Sequence, residues 1–342
     1  MEHQLEEITL NNNETVSRGR LAQVNNRRRD TQERNRLEES VGDRCGKKQS
    51  AVIRVITQNI DGIGQEPNSL KERNLKDFVL DKEIDIFGFQ QLNVCWSKLK
   101  YKYRVWDRFK GWNESYSMSV AFNNQDVTST PYQPGGTALL TTNKLTYMID
   151  SNGVDDNKLG RWTWVRYKGV DGKFLRVVSI YRPCICKLQN SAYMQAVRYF
   201  IKKGVDTCPR KVFLSDLATA ILRWKDKGDS IIVMGDFNQD MGGEEISDWK
   251  ERVGLYDAIG EIRHENLVSP MTFNRGNKQI DAILCTVGIH VVKGGYLPIG
   301  EGVGDHRPLF IDISVESTLG VKIPPPTAVK TRRLQLNNPF NQ

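Results

Sequence analysis

The sequence predicts an α/β fold, on three observations. Strand-length apolar runs, several of them β-branched, recur between Val52 and Ile313 and stop at polar residues, Gly or Pro. Helical spacing of apolar residues separates some of these runs. The two ends of the 342-residue chain are polar and lack the large apolar side chains a core needs.

Residues 1–50 are polar and charge-mixed, so a disordered segment or a loose helix is expected there. Within it, Arg27-Arg28-Arg29 reads as a solvated charge cluster or as a nuclear-import or nucleic-acid patch. Order is expected from Ala51. Val52-Ile53-Arg54-Val55-Ile56-Thr57 reads as a buried strand that ends in Gln58-Asn59-Ile60-Asp61-Gly62. A helix follows, with Ser69 and Glu72 as a capping box and Leu75, Phe78 and Val79 on its apolar face. Ile84 to Phe89 is a second strand, ending in Gln90-Gln91.

The middle of the chain reads as β: Ser117 to Phe122, Gly135 to Leu140, Arg161 to Val165 and Phe174 to Tyr181. Pro183 stops the last of these, since proline cannot donate to a ladder, and leaves Tyr181 and Arg182 at a strand end. Helices are expected over Ala192 to Lys202, Phe213 to Lys227 and Glu245 to Val253. Between the last two lies Ile231-Ile232-Val233-Met234-Gly235-Asp236-Phe237-Asn238, an apolar strand closing on a carboxylate and a carboxamide. Strands are expected again at Ile280 to Leu284, Ile289 to Lys293 and Leu309 to Ile313. From about Val315 the chain turns polar, with Pro324-Pro325-Pro326 as a stiff linker. The expected organisation is therefore a charged segment over 1–50, one domain over 51–314 and a Pro-rich basic tail over 315–342.

Hydrophobic content of 39% and charged content of 26% suit one globular core with polar ends. A net charge of +8 mildly favours polyanionic partners such as nucleic acid. The 6 cysteines form no CxxC pair and have no nearby His to complete a zinc site. They read as reduced thiols of an intracellular protein, and a nuclear location is the expectation that goes with the Arg27-Arg28-Arg29 import reading. No apolar stretch reaches membrane-spanning length and the N-terminus lacks an apolar signal segment, so no membrane contact is expected.

Ligand-capable residues recur at the strand ends: Asn59 and Asp61, Gln91, Tyr181, Asp236 and Asn238, Asp281, Asp305 and His306. Side chains two apart in an extended chain share a face, so Asp236 and Asn238 point the same way. Singly, each is either a turn residue or a ligand. Together they suggest one polar cleft, and a set rich in oxygen without a cysteine cluster suits Mg²⁺ or Mn²⁺. His306, in a Gly-Asp-His loop, is either an ordinary hydrogen-bonding loop residue or a base whose tautomer a carboxylate such as Asp281 would hold.

These stretches resemble the endonuclease/exonuclease/phosphatase superfamily, the DNase I-like enzymes. The matching segments are QNIDG at 58–62, FQQ at 89–91, SIYRP at 179–183, GDFN at 235–238, QIDAIL at 279–284 and GDHRP at 304–308, in the family's order. The resemblance implies a four-layer sandwich, two packed β-sheets each covered by helices, with the site at one end. It implies that Asn59 and Asp236 position or activate water, that Asn238 supports the phosphate and that Tyr181 bonds a phosphate oxygen. His306, paired with Asp281, would contact the scissile phosphate, and Asp61, Gln91 and Asp305 would hold Mg²⁺ or Mn²⁺.

GGTALL at 135–140, GRW at 160–162, and the GDH triplet look most like the nuclease domain of non-LTR retrotransposons. That likeness implies a DNA-nicking endonuclease, a partner reverse transcriptase domain in a longer polyprotein, and a monomer. One departure stands out. The family's metal-binding Glu is here Gln91, and losing a charge in a low-dielectric site weakens metal binding by at least about 1 kcal/mol. A weakened nuclease, a catalytically dead nucleic-acid-binding copy and a phosphodiesterase or phosphatase on a lipid or inositol phosphate all remain open at this stage.

Overall fold

Alternating burial explains the strands. In β1 (Val52–Asn59), Ile53 and Val55 face the space between two sheets, while Ile56 faces the opposite layer. In β8 (Asp229–Asp236), Ile232 and Met234 face the same central layer, and Ile231 and Val233 face outward onto helices. Successive side chains point to opposite faces, so a strand buried on both must be apolar throughout. The computed structural model describes residues 42–100, 105–263 and 269–322. His3, the Arg27-Arg28-Arg29 cluster, His264 and the Pro324-Pro325-Pro326 stretch lie outside them.

The remaining strands are β2 (Ile86–Gln90), β3 (Tyr116–Ala121), β4 (Thr137–Thr142), β5 (Ile149–Val154), β6 (Trp162–Lys168), β7 (Phe174–Tyr181), β9 (Leu255–Asp257), β10 (Asp281–Thr286), β11 (Val291–Tyr296) and β12 (Leu309–Ser314). They form two six-stranded sheets, β11-β12-β1-β2-β4-β3 and β5-β6-β7-β8-β10-β9. Both sheets are mixed, with β1–β2 and β7–β8 as parallel pairs. The helices are α1 (Leu70–Asp81), α2 (Val105–Arg108), α3 (Ala192–Lys202), α4 (Pro209–Lys225), α5 (Glu244–Val253), α6 (Ala258–Ile262) and α7 (Val315–Leu319).

Three cores result. Ile53, Val55, Leu139, Val177, Ile232 and Ile283 fill the space between the sheets. Leu75, Phe78 and Val79 of α1 cover Phe87 and Phe89 of the first sheet. Phe213, Leu217, Ile221 and Trp224 of α4, with Trp249 of α5, cover the second. Trp96, Trp112 and Trp162 are buried, which makes them packing residues rather than groove contacts.

The α1 helix starts at the expected cap, Ser69, but Glu72 reaches back one residue beyond it, to Asn68, instead of closing a full capping box. Ser69 Oγ accepts from Glu72 N at 3.2 Å, and Glu72 Oε2 accepts from Asn68 N at 2.9 Å. The α4 helix begins four residues earlier than expected, at Pro209, because proline is well placed in a first turn whose N–H groups need no helical partner.

The ends differ from expectation. The chain joins the fold before Ala51: Cys45 is buried, Asp43 N donates to Tyr296 O at 2.7 Å, and the Lys48 ammonium sits 2.8 Å from Asp85. After β12, residues 315–319 form α7 rather than a linker, and Leu319 is buried while its carbonyl accepts from Val170 N at 2.9 Å. In both places short polar stretches are held by backbone hydrogen bonds to segments distant in sequence, the strand end at Tyr296 and the turn at Val170, which composition does not show. β5 was also missed. Its IDSNGV sequence is poor in strand formers and lies at a sheet edge, where one-sided pairing sustains it.

Candidate active site

The two parallel pairs place their strand ends at one edge of the sandwich. Asn59 lies beside Gln90 across β1–β2, and Tyr181 beside Asp236 across β7–β8. β10 enters antiparallel at this edge, so its first residue, Asp281, stands directly opposite Asp236. The loop carrying His306 is pinned onto it by Gln58, whose Nε2 donates to His306 O at 2.8 Å and whose Oε1 accepts from Val303 N at 3.2 Å. Gly304 (φ +93°) lets that loop pass over β1, since a Cβ there would lie 3.0 Å from Asn59 O.

A buried hydrogen-bond network joins these side chains. Asp236 accepts from Asn59 Nδ2 at 2.9 Å, from Asn238 N at 2.7 Å and from Asn238 Nδ2 at 2.9 Å. His306 Nδ1 and Asp281 Oδ2 are 2.8 Å apart. Burial pushes the Asp236 carboxyl up to about 7, with the Asp281 charge adding to it and His306 and Asn59 opposing. Burial alone would lower the His306 pKa. The Asp281 charge and hydrogen bond, joined by Asp236 and Asp305, instead raise it to about 9. Burial, and then the Asp236 charge, push the Tyr181 phenol well above its usual range, so it stays a proton donor. The ligand atoms of Asp236, Asp281 and His306 lie within 4.8 Å of one another, and Asp281 Oδ1 is buried without a hydrogen-bond partner. The two carboxylates of that cluster, one of them offering the unpartnered Asp281 Oδ1, fit a divalent cation; His306, held charged, faces them as a donor.

Residues 56–306 match the endonuclease/exonuclease/phosphatase family. The chain belongs to this family. The fold is similar to the AP endonuclease LMAP from Leishmania major, at 12% identity and a TM-score of 0.59 over 82% of this chain and 98% of that one. It is also similar to the catalytic domain of Xenopus laevis APE2, at 16% identity and a TM-score of 0.55 over 77% and 92% of the two chains. A 3′ phosphatase from Neisseria, NExo, determined with a product DNA hairpin, shares the fold at 14% identity and a TM-score of 0.53 over 77% and 99%. No curated protein matches the chain in sequence.

Members of the endonuclease/exonuclease/phosphatase family are typically metal-dependent nucleases or phosphatases. The three residues for which the resemblance implied metal binding do not form an open ligand set here. Gln91 Nε2 donates to Asp61 Oδ1 at 3.0 Å, while Asp305 Oδ2 is ion-paired with Arg275 at 2.8 Å. The Lys71 ammonium, on the first turn of α1, donates to Asp61 O at 2.8 Å. Burial lowers the Lys71 pKa and the Asp61 and Asp305 charges pull it back up. An amide N–H on Asp61 Oδ1 and a guanidinium on Asp305 Oδ2 thus take carboxylate oxygens that a metal would use, with the Lys71 ammonium close by on the Asp61 carbonyl, and this corner does not fit a divalent cation as it stands.

Three of the site residues adopt left-handed backbone just past their strands: Asp61 (φ 46°), Gln91 (φ 55°) and Asn238 (φ 49°). Non-glycine residues held there cost on the order of 1 kcal/mol each, and the turn aims their side chains back over the sheet edge.

Lys71, Arg275 and Arg210 join the site without standing out in the sequence, and Arg182, expected only as a strand-end residue, joins them. Arg210 donates to Pro183 O at 2.7 Å and Asn238 O at 3.0 Å, and Arg182 Nε donates to Arg210 O at 3.2 Å. Arg182 is buried, and that burial, with the Arg210 charge, lowers its pKa to about 10. The two brace the loop that carries Asn238. Only Arg182 carried a signal, its place in the SIYRP stretch. Among the described residues, no helix is long and apolar enough to cross a membrane.

Proposed function

We propose that this chain is a phosphodiester hydrolase acting on DNA, a nicking endonuclease of the retrotransposon type. The observation that carries the reading is the facing of Asp236, a buried acceptor pushed to about 7, and the Asp281–His306 pair, with His306 raised to about 9. An acceptor that ionises near neutral pH beside an imidazolium suits proton removal from water next to an anion.

In this reading a scissile phosphate lies over Asn238 and His306. Asn59 orients Asp236, which accepts the proton of the attacking water. The His306 imidazolium offers its free ring nitrogen to the phosphoryl oxygens, where negative charge grows, and Asp281 holds the ring in place. The Tyr181 hydroxyl donates to a phosphate oxygen. Asp236 and Asp281 would hold Mg²⁺ or Mn²⁺, and a bound ion would neutralise charge on the phosphate.

DNA as substrate is supported by the net charge of +8, and by the family's nuclease fold relatives. The retrotransposon type, with a reverse transcriptase domain as partner, rests on the GGTALL, GRW and GDH stretches of the sequence. Incubating supercoiled plasmid with the protein and Mg²⁺ or Mn²⁺ tests the proposal. Nicking that disappears in Asp236→Ala and His306→Ala is the expected result. Turnover of a phospholipid or inositol phosphate without nicking would overturn it.

A further inference from the structure

The side chains of Asp61 and Gln91 touch each other, and the orientation of that contact can be worked out from the backbone. Asp61 N–H can only donate, and it donates to Asn59 Oδ1 at 3.0 Å. That fixes the Asn59 carboxamide with its oxygen toward Asp61 and its Nδ2 group toward Asp236, at 2.9 Å, and Gln91, at 3.1 Å. A donor must meet an acceptor, so Gln91 presents Oε1 to Asn59 and Nε2 to the Asp61 carboxylate. Turning the Gln91 amide over would set two NH₂ groups against each other. An amide nitrogen does not ligate Mg²⁺ or Mn²⁺, ions that take oxygen.

The charge balance points the same way. Of the two carboxylates of this corner, Asp305 is paired with the Arg275 guanidinium, while the Lys71 ammonium bonds the Asp61 backbone carbonyl and lies near enough for both carboxylate charges to raise its pKa. Asp281 Oδ1, by contrast, has no partner. Building on the phosphodiesterase reading, we propose that the Asp61–Gln91–Asp305 corner is closed to divalent cations, because the Gln91 amide turns its N–H to Asp61 where a metal needs an oxygen and the Lys71 ammonium lies beside them. The negative charge at this corner is then neutralised by the protein itself. A glutamate at position 91 would reverse the arrangement: it cannot donate, so its carboxylate would face that of Asp61 and call for a cation.

Mn²⁺ binding without nucleic acid tests this, read from the electron paramagnetic resonance signal of the free ion. The titrations use wild type, Asp61→Asn, Gln91→Glu and the double variant, each checked for an unchanged circular dichroism spectrum. Residue 91 is half-buried at a turn, so a near-isosteric change there leaves the core untouched. Expected is a wild-type isotherm that Asp61→Asn shifts by less than twofold. Gln91→Glu should add a site at least tenfold tighter, and Asp61→Asn should remove it. A wild-type isotherm weakened more than twofold by Asp61→Asn, or a Gln91→Glu variant that gains no such site, would overturn the proposal. Because no DNA is present, the result is independent of whether the protein nicks plasmid.

Discussion

The Asn59 carboxamide donates to Asp236 at 2.9 Å and to Gln91 at 3.1 Å. One side chain from the first sheet therefore ties the second sheet's buried acceptor to the corner formed by Asp61 and Gln91. It also lowers the Asp236 pKa against the burial that raises it.

Removing that amide should separate orientation from folding. Asn59→Ala is expected to slow plasmid nicking by about 10–100-fold, since a general base loses its aim and its hydrogen bond. The Asp236 pKa should rise further, because the lost bond favoured the carboxylate. Single-turnover nicking at several pH values measures both; a wild-type rate in the variant would remove Asn59 from the machinery.

The imidazole of His306 should titrate late. In protein kept free of metal by a chelator, its ring is expected to lose its proton near pH 9, well above the ordinary 6.5. Asp281→Asn should bring that value down by roughly 1 unit or more, because a nearby negative charge is what favours the charged ring. Ring nitrogen NMR shifts across pH report it directly. An unchanged value in Asp281→Asn would mean the pair does not act as drawn.

The cross-strand pair of Arg54 on β1 and Asp312 on β12 is buried, with Nε–Oδ1 at 2.8 Å and Nη2–Oδ2 at 2.9 Å. Arg54→Met would leave Asp312 as a buried charge without its partner. A loss of about 3–5 kcal/mol in urea unfolding is expected. Replacing both residues by apolar ones should recover much of it, because no charge is then stranded. Equal destabilisation in the single and double variants would contradict this account.

Gly235 holds φ +136°, and a Cβ there would lie 2.2 Å from Ile180 O on the neighbouring strand. Gly235→Ala must push β7 and β8 apart beside Asp236. We expect a loss of about 1–3 kcal/mol from overpacking, together with a fall in nicking from the displaced carboxylate. A thermal melt and the plasmid assay on the same preparation check it; a melt and rate like wild type would show that the strands can yield there.

Much of this architecture is legible in the chain itself. The β-branched runs ending at Asn59, Tyr181 and Asp236 mark strands because a strand buried on both faces must be apolar until it reaches the edge. The motifs around them mark the family, which the match over residues 56–306 shows. What tertiary structure alone decided are relations across large sequence distances. The register that sets Asp281 opposite Asp236, the Arg210 brace behind Asn238, and the Lys71 ammonium beside Asp61 leave no local pattern. The orientation of the Gln91 amide is the sharpest case. Sequence shows an uncharged carboxamide at position 91. Only the chain of donors and acceptors running from Asp61 N through Asn59 shows that an N–H now points where a metal would need an oxygen. A hydrogen bond is directional, and its direction is set by partners that folding brings together.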